Sequence, residues 1–152
     1  ALEYFNNGIA AYKEVTRLRP DHPDVKRNFS VVYRDKGKLL GQRLNRLDES
    51  IASIESSLVY SIKDFECFRL LGVAYGMRGI FYQQNNQAQT GIESHYKAIN
   101  YFGQALEMNP KSLPLLFNME MAYRHLGNIE KINEFNSRWK EINPNYAPGQ
   151  PK

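Results

Sequence analysis

The chain has 152 residues, of which 42% are hydrophobic and 24% are charged, and this balance excludes a disordered protein. No apolar run approaches the roughly 18 residues that a membrane span requires, so we expect a soluble protein without membrane insertion. The net charge of +4 originates in the first third, because residues 1–47 hold ten basic and five acidic side chains.

The first predicted element is a helix over residues 1–20, closed by a proline that cannot continue the hydrogen-bond ladder. Its apolar face includes Leu2, Phe5 and Ile9, and no preceding helix is present to cover them. The sequence begins at Ala1 without an initiator methionine, so we expect a fragment of a longer chain. Upstream residues of that longer chain would then cover this face; the alternative is that another subunit covers it.

Residues 23–62 are predicted to form a first complete helix pair, with Gly37 as a turn glycine after its first helix. Residues 38–47 follow, and their leucines recur at helical spacing, at Leu40, Leu44 and Leu47. This spacing indicates that one helix of the pair is lengthened.

Residues 65–110 are predicted to form the second pair, since Phe68, Leu71 and Tyr75 recur every three to four residues. Gly72 lies in that stripe, where the lack of a side chain lets a partner helix approach closely. The polar residues that follow predict a helix extension and then a loop around Asn85–Gly91.

Residues 113–144 are predicted to form the third pair, in which Gly127 ends the first helix in a left-handed conformation. Residues 145–152 contain two prolines and a glycine and are interpreted as a tail.

Two stretches carry a repeat signature. Residues 68–75 read Phe-Arg-Leu-Leu-Gly-Val-Ala-Tyr, and Ala98, Phe102 and Pro110 follow at the spacing of a second-helix signature. Pro110 and Pro144 are 34 residues apart, so the chain resembles the tetratricopeptide repeat (TPR) family. The resemblance implies an all-α fold, a right-handed α-solenoid of about three and a half TPR-like helix pairs over residues 1–144, two of them with lengthened helices.

The chain departs from the TPR pattern at several positions. Ser30 and Glu120 stand where the family prefers glycine, and Ile62 stands where a proline is usual. In the last helix, Asn136 and Trp139 replace an aromatic and a small residue. Because terminal repeats have one face without a neighbour, we expect Trp139 to cap the open end of the stack.

In TPR proteins the first helix of each pair lines an inward groove that binds peptides or partner helices. The resemblance assigns nine residues to it: Arg27, Val31, Arg34, Arg69, Val73, Met77, Phe117, Met121 and Arg124. Four arginines among nine positions suggest an acidic partner, since arginine binds carboxylates in bidentate fashion. Alternatively, Asp24, Asp35 and Glu66 lie near enough to neutralise these arginines within the protein.

The carboxylate clamp of chaperone-binding TPR proteins is not expected. Its Lys and Asn, then Lys and Arg, correspond here to Arg27 and Val31, then Pro114 and Asn118, so three of the four positions depart in type.

Catalytic chemistry has little support in the sequence. His22, His95 and His125 are too scattered for a metal-binding pair, and no phosphate loop or nucleophile elbow is present. Cys67 lies among apolar residues that raise a thiol pKa, so we interpret it as structural. We therefore expect neither a catalytic site nor a metal or cofactor.

The sequence predicts a non-catalytic scaffold whose partner is a protein or peptide. The alternatives are self-assembly through the N-terminal helix and the Trp139 end, or a regulatory module of a larger multidomain protein. Nucleic acid is not an expected partner, since the basic surplus is confined to one third of the chain. A single cysteine is compatible with the cytoplasm or the periplasm.

Overall fold

The computed structural model describes residues 1–19, 22–61 and 63–146, and within these ranges it contains α-helices and no strand. The all-α class is therefore confirmed for the described residues. The seven helices are α1 Leu2–Leu18, α2 Pro23–Leu44, α3 Leu47–Tyr60, α4 Phe65–Gln84, α5 Ala88–Met108, α6 Leu113–His125 and α7 Ile129–Ile142. Two compact units divide the chain, unit 1 over residues 1–71 and unit 2 over residues 72–152, with the boundary inside α4. The predicted helix ends at Pro20 and Ile62 lie outside the described residues.

One hydrophobic cluster of unit 1 joins α1 to α2. Ile9 of α1 is buried together with Val25 and Phe29 of α2, and the Phe29 ring stacks on that of Tyr60 with centroids 4.7 Å apart. The prediction that Ile9 lacks a covering helix is therefore wrong, because α2 covers it. Phe5, on the same face, is only half-buried.

The sequence predicted a lengthened helix over residues 38–47, and α2, which has 22 residues, includes residues 38–44 of that stretch. It ends at Asn45 in a left-handed conformation with φ 52°, so Leu47 begins the next helix instead of continuing this one. Gly37 was predicted to lie in a turn, and this prediction is wrong. It lies inside α2, where a Cβ atom would overlap Ile54 of α3. The glycine is needed because α3 approaches the backbone of α2 closely.

A row of serines binds α3 to α2. Ser50, Ser53 and Ser57 recur at helical spacing and are buried. Their hydroxyls donate to backbone carbonyls of α2: Ser50 to Gly37 at 2.7 Å, Ser53 to Tyr33 at 2.8 Å and Ser57 to Ser30 at 2.7 Å. Small side chains and these hydrogen bonds together allow the two helices to pack at short range.

In unit 2, α5 packs against the part of α4 that begins at Gly72. A Cβ atom on Gly72 would overlap the Phe102 ring, which confirms that this glycine permits a close approach. The predicted loop is shorter than expected, since α5 already starts at Ala88. Asn86, with φ 60°, turns the chain, and the Asn85 amide donates to the Phe81 carbonyl at 2.7 Å, so few residues are needed.

A tight turn joins α6 to α7. Gly127 has φ +69°, which confirms the predicted left-handed residue after α6. Asn128 follows as the N-cap of α7, and its side chain accepts a hydrogen bond from the Lys131 amide at 3.0 Å. Leu115 and Leu116 of α6 are fully buried and belong to the core of unit 2.

Candidate partner-binding clefts

In unit 1, three of the nine predicted groove residues line one open cleft of about 600 Å³, here called the basic cleft. Arg27, Val31 and Arg34 share a face of α2 because they are spaced by four and three residues. The complete lining is Lys26, Arg27, Ser30, Val31, Arg34, Tyr60, Ser61 and Asp64.

Arg34 is held by two carboxylates of the protein. Its Nε donates to Asp35 at 3.2 Å and its Nη1 to Asp64 at 3.4 Å, and the side chain is 24% exposed. Burial acts to lower the pKa of Arg34, but the carboxylates of Asp35 and Asp64 outweigh it and the pKa is raised. The second Asp64 oxygen accepts from the Cys67 amide at 3.0 Å, so Asp64 also caps the start of α4.

The other two cationic side chains of the basic cleft, Lys26 and Arg27, can accept a binding partner. Lys26 and Arg27 are exposed, and neither forms an ion pair or hydrogen bond with a residue that the structure describes. The cleft thus carries three cationic side chains and one carboxylate, that of Asp64.

Arg69 does not line the basic cleft but pairs with Glu66 on its own helix. Its Nε and Nη2 donate to the two Glu66 oxygens at 2.7 and 2.6 Å. This bidentate bond raises the pKa of Arg69 and lowers that of Glu66. The alternative noted from the sequence, internal neutralisation by Asp35 and Glu66, is therefore what the structure has at Arg34 and Arg69, whereas Asp24 lies 3.8 Å from His22.

In unit 2, Val73, Met77 and Met121 line a smaller cleft of about 180 Å³, here called the apolar cleft. Its complete lining is Gly72, Val73, Gly76, Met77, Ile80, His95, Phe102, Asn118, Met121, Ala122 and His125. Phe117 and Arg124, which were predicted to share a groove with Met121, do not line this cleft. The ring of Phe117 packs instead against Trp139, with centroids 6.4 Å apart.

Arg124 belongs to a network around the buried Glu120, here called the Glu120 network. Glu120 is 2% exposed; its Oε1 accepts from Arg124 Nε at 2.9 Å, and its Oε2 from Trp139 Nε1 at 2.6 Å and Asn136 Nδ2 at 3.2 Å. Burial alone would raise the pKa of Glu120, but the hydrogen bonds from Trp139, Arg124 and Asn136 lower it.

This network was not predicted, although three of its residues stand out in the sequence. Glu120, Asn136 and Trp139 are the positions at which the last pair departs from the TPR pattern, and they depart together because they bind one another. Trp139 is consequently buried, and the ring of Tyr146, from the predicted tail, lies over it at 6.1 Å.

The two histidines of unit 2, judged scattered from the sequence, lie against each other. The rings of His95 and His125 are stacked, with centroids 4.6 Å apart and planes at 4°. Gln83 connects them, because its Oε1 lies 3.2 Å from His95 Nε2 and its amide donates to the His125 carbonyl at 3.3 Å. Burial, and secondarily His125, lower the pKa of His95 to about 4, so its ring is neutral at pH 7.

Cys67 is a buried thiol within unit 1. Its Sγ lies 3.2 Å from the Ser57 hydroxyl, and Ser57 in turn lies 2.9 Å from the Ser30 hydroxyl. Burial is the largest influence on the thiol and raises the pKa of Cys67 to about 11, in agreement with the sequence-based expectation. A thiol of this pKa is protonated at pH 7 and is a poor nucleophile.

Neither a metal centre nor a membrane span emerges from the described ranges. Among residues 1–19, 22–61 and 63–146, no three histidine, cysteine, aspartate or glutamate side chains are grouped so that they could hold a metal ion. None of the helices in those ranges combines the length and the apolar character needed to cross a bilayer.

Comparison with known proteins adds little to this geometry. Neither a protein-family model nor a curated protein matches the chain. Two solved structures of MamA align with it at 16% identity. One alignment covers 93% of this chain and 92% of that chain with a TM-score of 0.31, and the other covers 99% and 90% with a TM-score of 0.32.

Proposed function

We propose that the chain is a non-catalytic scaffold that binds an acidic segment of a partner protein at the basic cleft of unit 1. The observation that carries the proposal is the grouping of Lys26, Arg27 and Arg34 around one cleft that contains a single carboxylate, Asp64.

The three cations have different roles in this proposal. Arg34 is already bound to Asp35 and Asp64, which neutralise its charge, so it orders this wall of the cleft and does not supply a free donor. Lys26 and Arg27 are solvated, and they supply the donors for carboxylates of the partner. Arginine offers a planar pair of N–H groups that fits a carboxylate, so Arg27 is the main contact.

The TPR architecture predicted from the sequence, a right-handed solenoid of about three and a half helix pairs, is part of the proposal. Its support is the repeat signature together with two hairpins, α2 with α3 in unit 1 and α6 with α7 in unit 2, each joined by a short turn. Helix pairs of this kind expose one face on which a partner segment can lie.

The test is fluorescence anisotropy with a short fluorescein-labelled poly-glutamate peptide, comparing the wild-type chain with Arg27→Glu. We expect the charge reversal to weaken binding by about tenfold, which corresponds to about 1.4 kcal/mol. Affinity should also fall as salt is raised from low to physiological concentration, because solvent-exposed charges are screened over about 8 Å.

Arg43→Glu is the matched control, since Arg43 is exposed on the same helix, carries the same charge and does not line the basic cleft. Equal weakening by both variants would mean that the peptide responds to net charge and not to the cleft, and would refute the proposal. A labelled poly-lysine peptide should not bind to either variant or to the wild type.

Self-association through α1 is a second candidate. Tyr4 and Leu18 are 79% and 65% exposed although both are apolar, and Tyr4 and Phe5 line an open cleft beside α2. Sedimentation velocity at rising protein concentration tests it: a mass that doubles in the wild type and stays single in Tyr4→Ser would favour assembly over the scaffold.

A further inference from the structure

The apolar cleft of unit 2 is formed by three helices. Val73, Met77 and Ile80 come from α4, Phe102 from α5 and Met121 from α6. Met77 and Met121 are 42% and 36% exposed, so these two flexible thioether side chains border the opening.

The size of the cleft fits a single aromatic ring. Its volume is about 180 Å³, and a cavity of about 150 Å³ accepts benzene. Gly76 keeps part of this space open, because a Cβ atom there would meet only Ala98, at 4.0 Å. Gly72 differs, since the Phe102 ring already occupies the space beside it.

Three polar side chains, those of His95, Asn118 and His125, line this otherwise apolar space, and one of them has a buried atom without a hydrogen bond. His95 is 1% exposed, and its Nδ1 is buried with no partner. The Asn118 amide and the ring nitrogens of His125 form no hydrogen bond with the described residues. Because a buried polar atom without a partner is costly, His95 Nδ1 favours an occupant that carries a hydrogen-bonding group, and the half-buried Asn118 and His125 offer further partners to the same group.

We propose that the apolar cleft binds a tyrosine side chain of the partner protein. This inference rests on the proposed scaffold function. The ring fills the apolar volume, and the phenol hydroxyl both donates to and accepts from the polar side chains, Asn118 and His125 first. Phenylalanine would leave these groups unpaired, and the two-ring indole of tryptophan exceeds the space of one ring.

The first test is a titration of the ¹⁵N-labelled chain with p-cresol, the analogue of the tyrosine side chain, and with toluene as the analogue of phenylalanine. We expect p-cresol to shift the amides of the cleft residues and to bind about fivefold more tightly than toluene, the worth of one net hydrogen bond. Equal affinities, or shifts elsewhere in the chain, would overturn the proposal.

Two helix glycines supply matched variants. Gly76→Leu fills the apolar cleft, whereas Gly103→Leu adds the same side chain on α5, where nothing lies within 4 Å of its Cβ. Both replace glycine in a helix and are expected to preserve helicity, checked by circular dichroism. We expect p-cresol binding to be lost in Gly76→Leu and kept in Gly103→Leu; binding that survives in both variants would refute the cleft as the site.

A third variant isolates the polar part of the site should Gly76→Leu fail to fold. His125→Phe keeps a ring beside His95 and removes the two ring nitrogens. We expect it to retain toluene binding and to lose the preference for p-cresol. Asn118→Leu is tested in the same way. If both variants still prefer p-cresol to toluene as strongly as the wild type does, the cleft does not recognise the hydroxyl.

The same samples separate this inference from the proposed function. The poly-glutamate peptide should bind Gly76→Leu as it binds the wild type, because the basic cleft belongs to unit 1. If the wild-type chain binds this peptide but not p-cresol, the tyrosine site alone is refuted. If the wild-type chain does not bind the peptide, the scaffold proposal is refuted. If p-cresol binds and a short acetylated tyrosine peptide does not, the occupant is a free phenol and not a protein side chain, which overturns the proposal in its stated form.

Discussion

The hairpins α2/α3 and α6/α7 both place a polar residue where the TPR pattern prefers glycine, but they accommodate it differently. Ser30 enters a row of neutral hydroxyl bonds between α2 and α3. Glu120 is a buried carboxylate that receives donors from α6 and α7. The same departure from a repeat pattern is thus tolerated once with a small group and once with a charge.

The two interfaces differ in how many hydrogen bonds depend on a single buried side chain. In α2/α3 each serine meets its own backbone carbonyl, so the loss of one hydroxyl leaves the other bonds intact. In α6/α7 a single carboxylate satisfies Trp139, Asn136 and Arg124 at once. We therefore expect one substitution, at Glu120, to destabilise the α6/α7 interface strongly. Each serine substitution should weaken the α2/α3 interface only a little.

The largest effect is expected from Glu120→Ala. Removing the carboxylate leaves the Trp139 and Asn136 donors without partners, and we expect the free energy of unfolding of unit 2 to fall by about 3 kcal/mol. Trp139 is the only tryptophan, so its fluorescence during urea unfolding reports this unit. The exposed Glu107→Ala on α5 should change stability by less than about 0.5 kcal/mol, and a similar loss in both variants would contradict the role of the network.

An intermediate effect is expected from acidification of unit 2. The folded-state pKa of His95, about 4, lies below its ordinary value of 6.5, so between these values the unfolded chain binds a proton that the folded chain does not. Stability therefore falls as the pH falls, by about 2 kcal/mol between pH 7 and pH 5. Urea unfolding followed by Trp139 fluorescence at both pH values measures it.

The control for this pH dependence is His95→Phe, in which the ring that stacks on His125 is kept but cannot titrate. Its unfolding free energy should change much less over the same interval, and a slope equal to that of the wild type would rule out His95 as the source. Glu120 acts in a separate window: its pKa is lowered, so its contribution is present above the unfolded value of about 4.3 and is lost below it.

The smallest effect is expected from Ser57→Ala, which removes the hydroxyl that donates to the Ser30 carbonyl and also lies against the Ser30 hydroxyl and the Cys67 thiol. We expect a loss of about 1 kcal/mol, because the Ser30 carbonyl loses a donor in a buried site. Circular dichroism during urea unfolding measures the loss. The neighbouring Ser56→Ala removes an exposed hydroxyl that bonds only within its own helix, and should be nearly neutral; equal effects would deny the serine row a role.

Much of the helical framework was predictable because the repeat signature combines glycines, aromatics and prolines at known spacings. Gly72 and Gly127 were assigned correctly, since both have local physical requirements that a sequence displays. Gly37 was misassigned because a glycine in a turn and a glycine beneath a crossing helix look alike in sequence. Only the position of Ile54 on α3 distinguishes them.

The clefts were predictable in part. The TPR resemblance assigned Arg27, Val31 and Arg34 to one surface, and the structure has these three side chains along one cleft, since residues on one helix face need no tertiary information. The pairing of Arg34 with Asp64, 30 residues away, and the stacking of His95 on His125 depend on how helices pack. Such contacts between distant positions leave no periodic signal in a single sequence.

The burial of Cys67 has a practical consequence for the study of unit 1. The chain has one cysteine, its side chain is fully enclosed, and its pKa of about 11 keeps it protonated. A thiol-specific reagent can therefore modify it only in molecules whose helices have transiently separated. The rate of labelling at Cys67 therefore measures how often this part of unit 1 opens spontaneously, and the measurement needs no substitution in the protein.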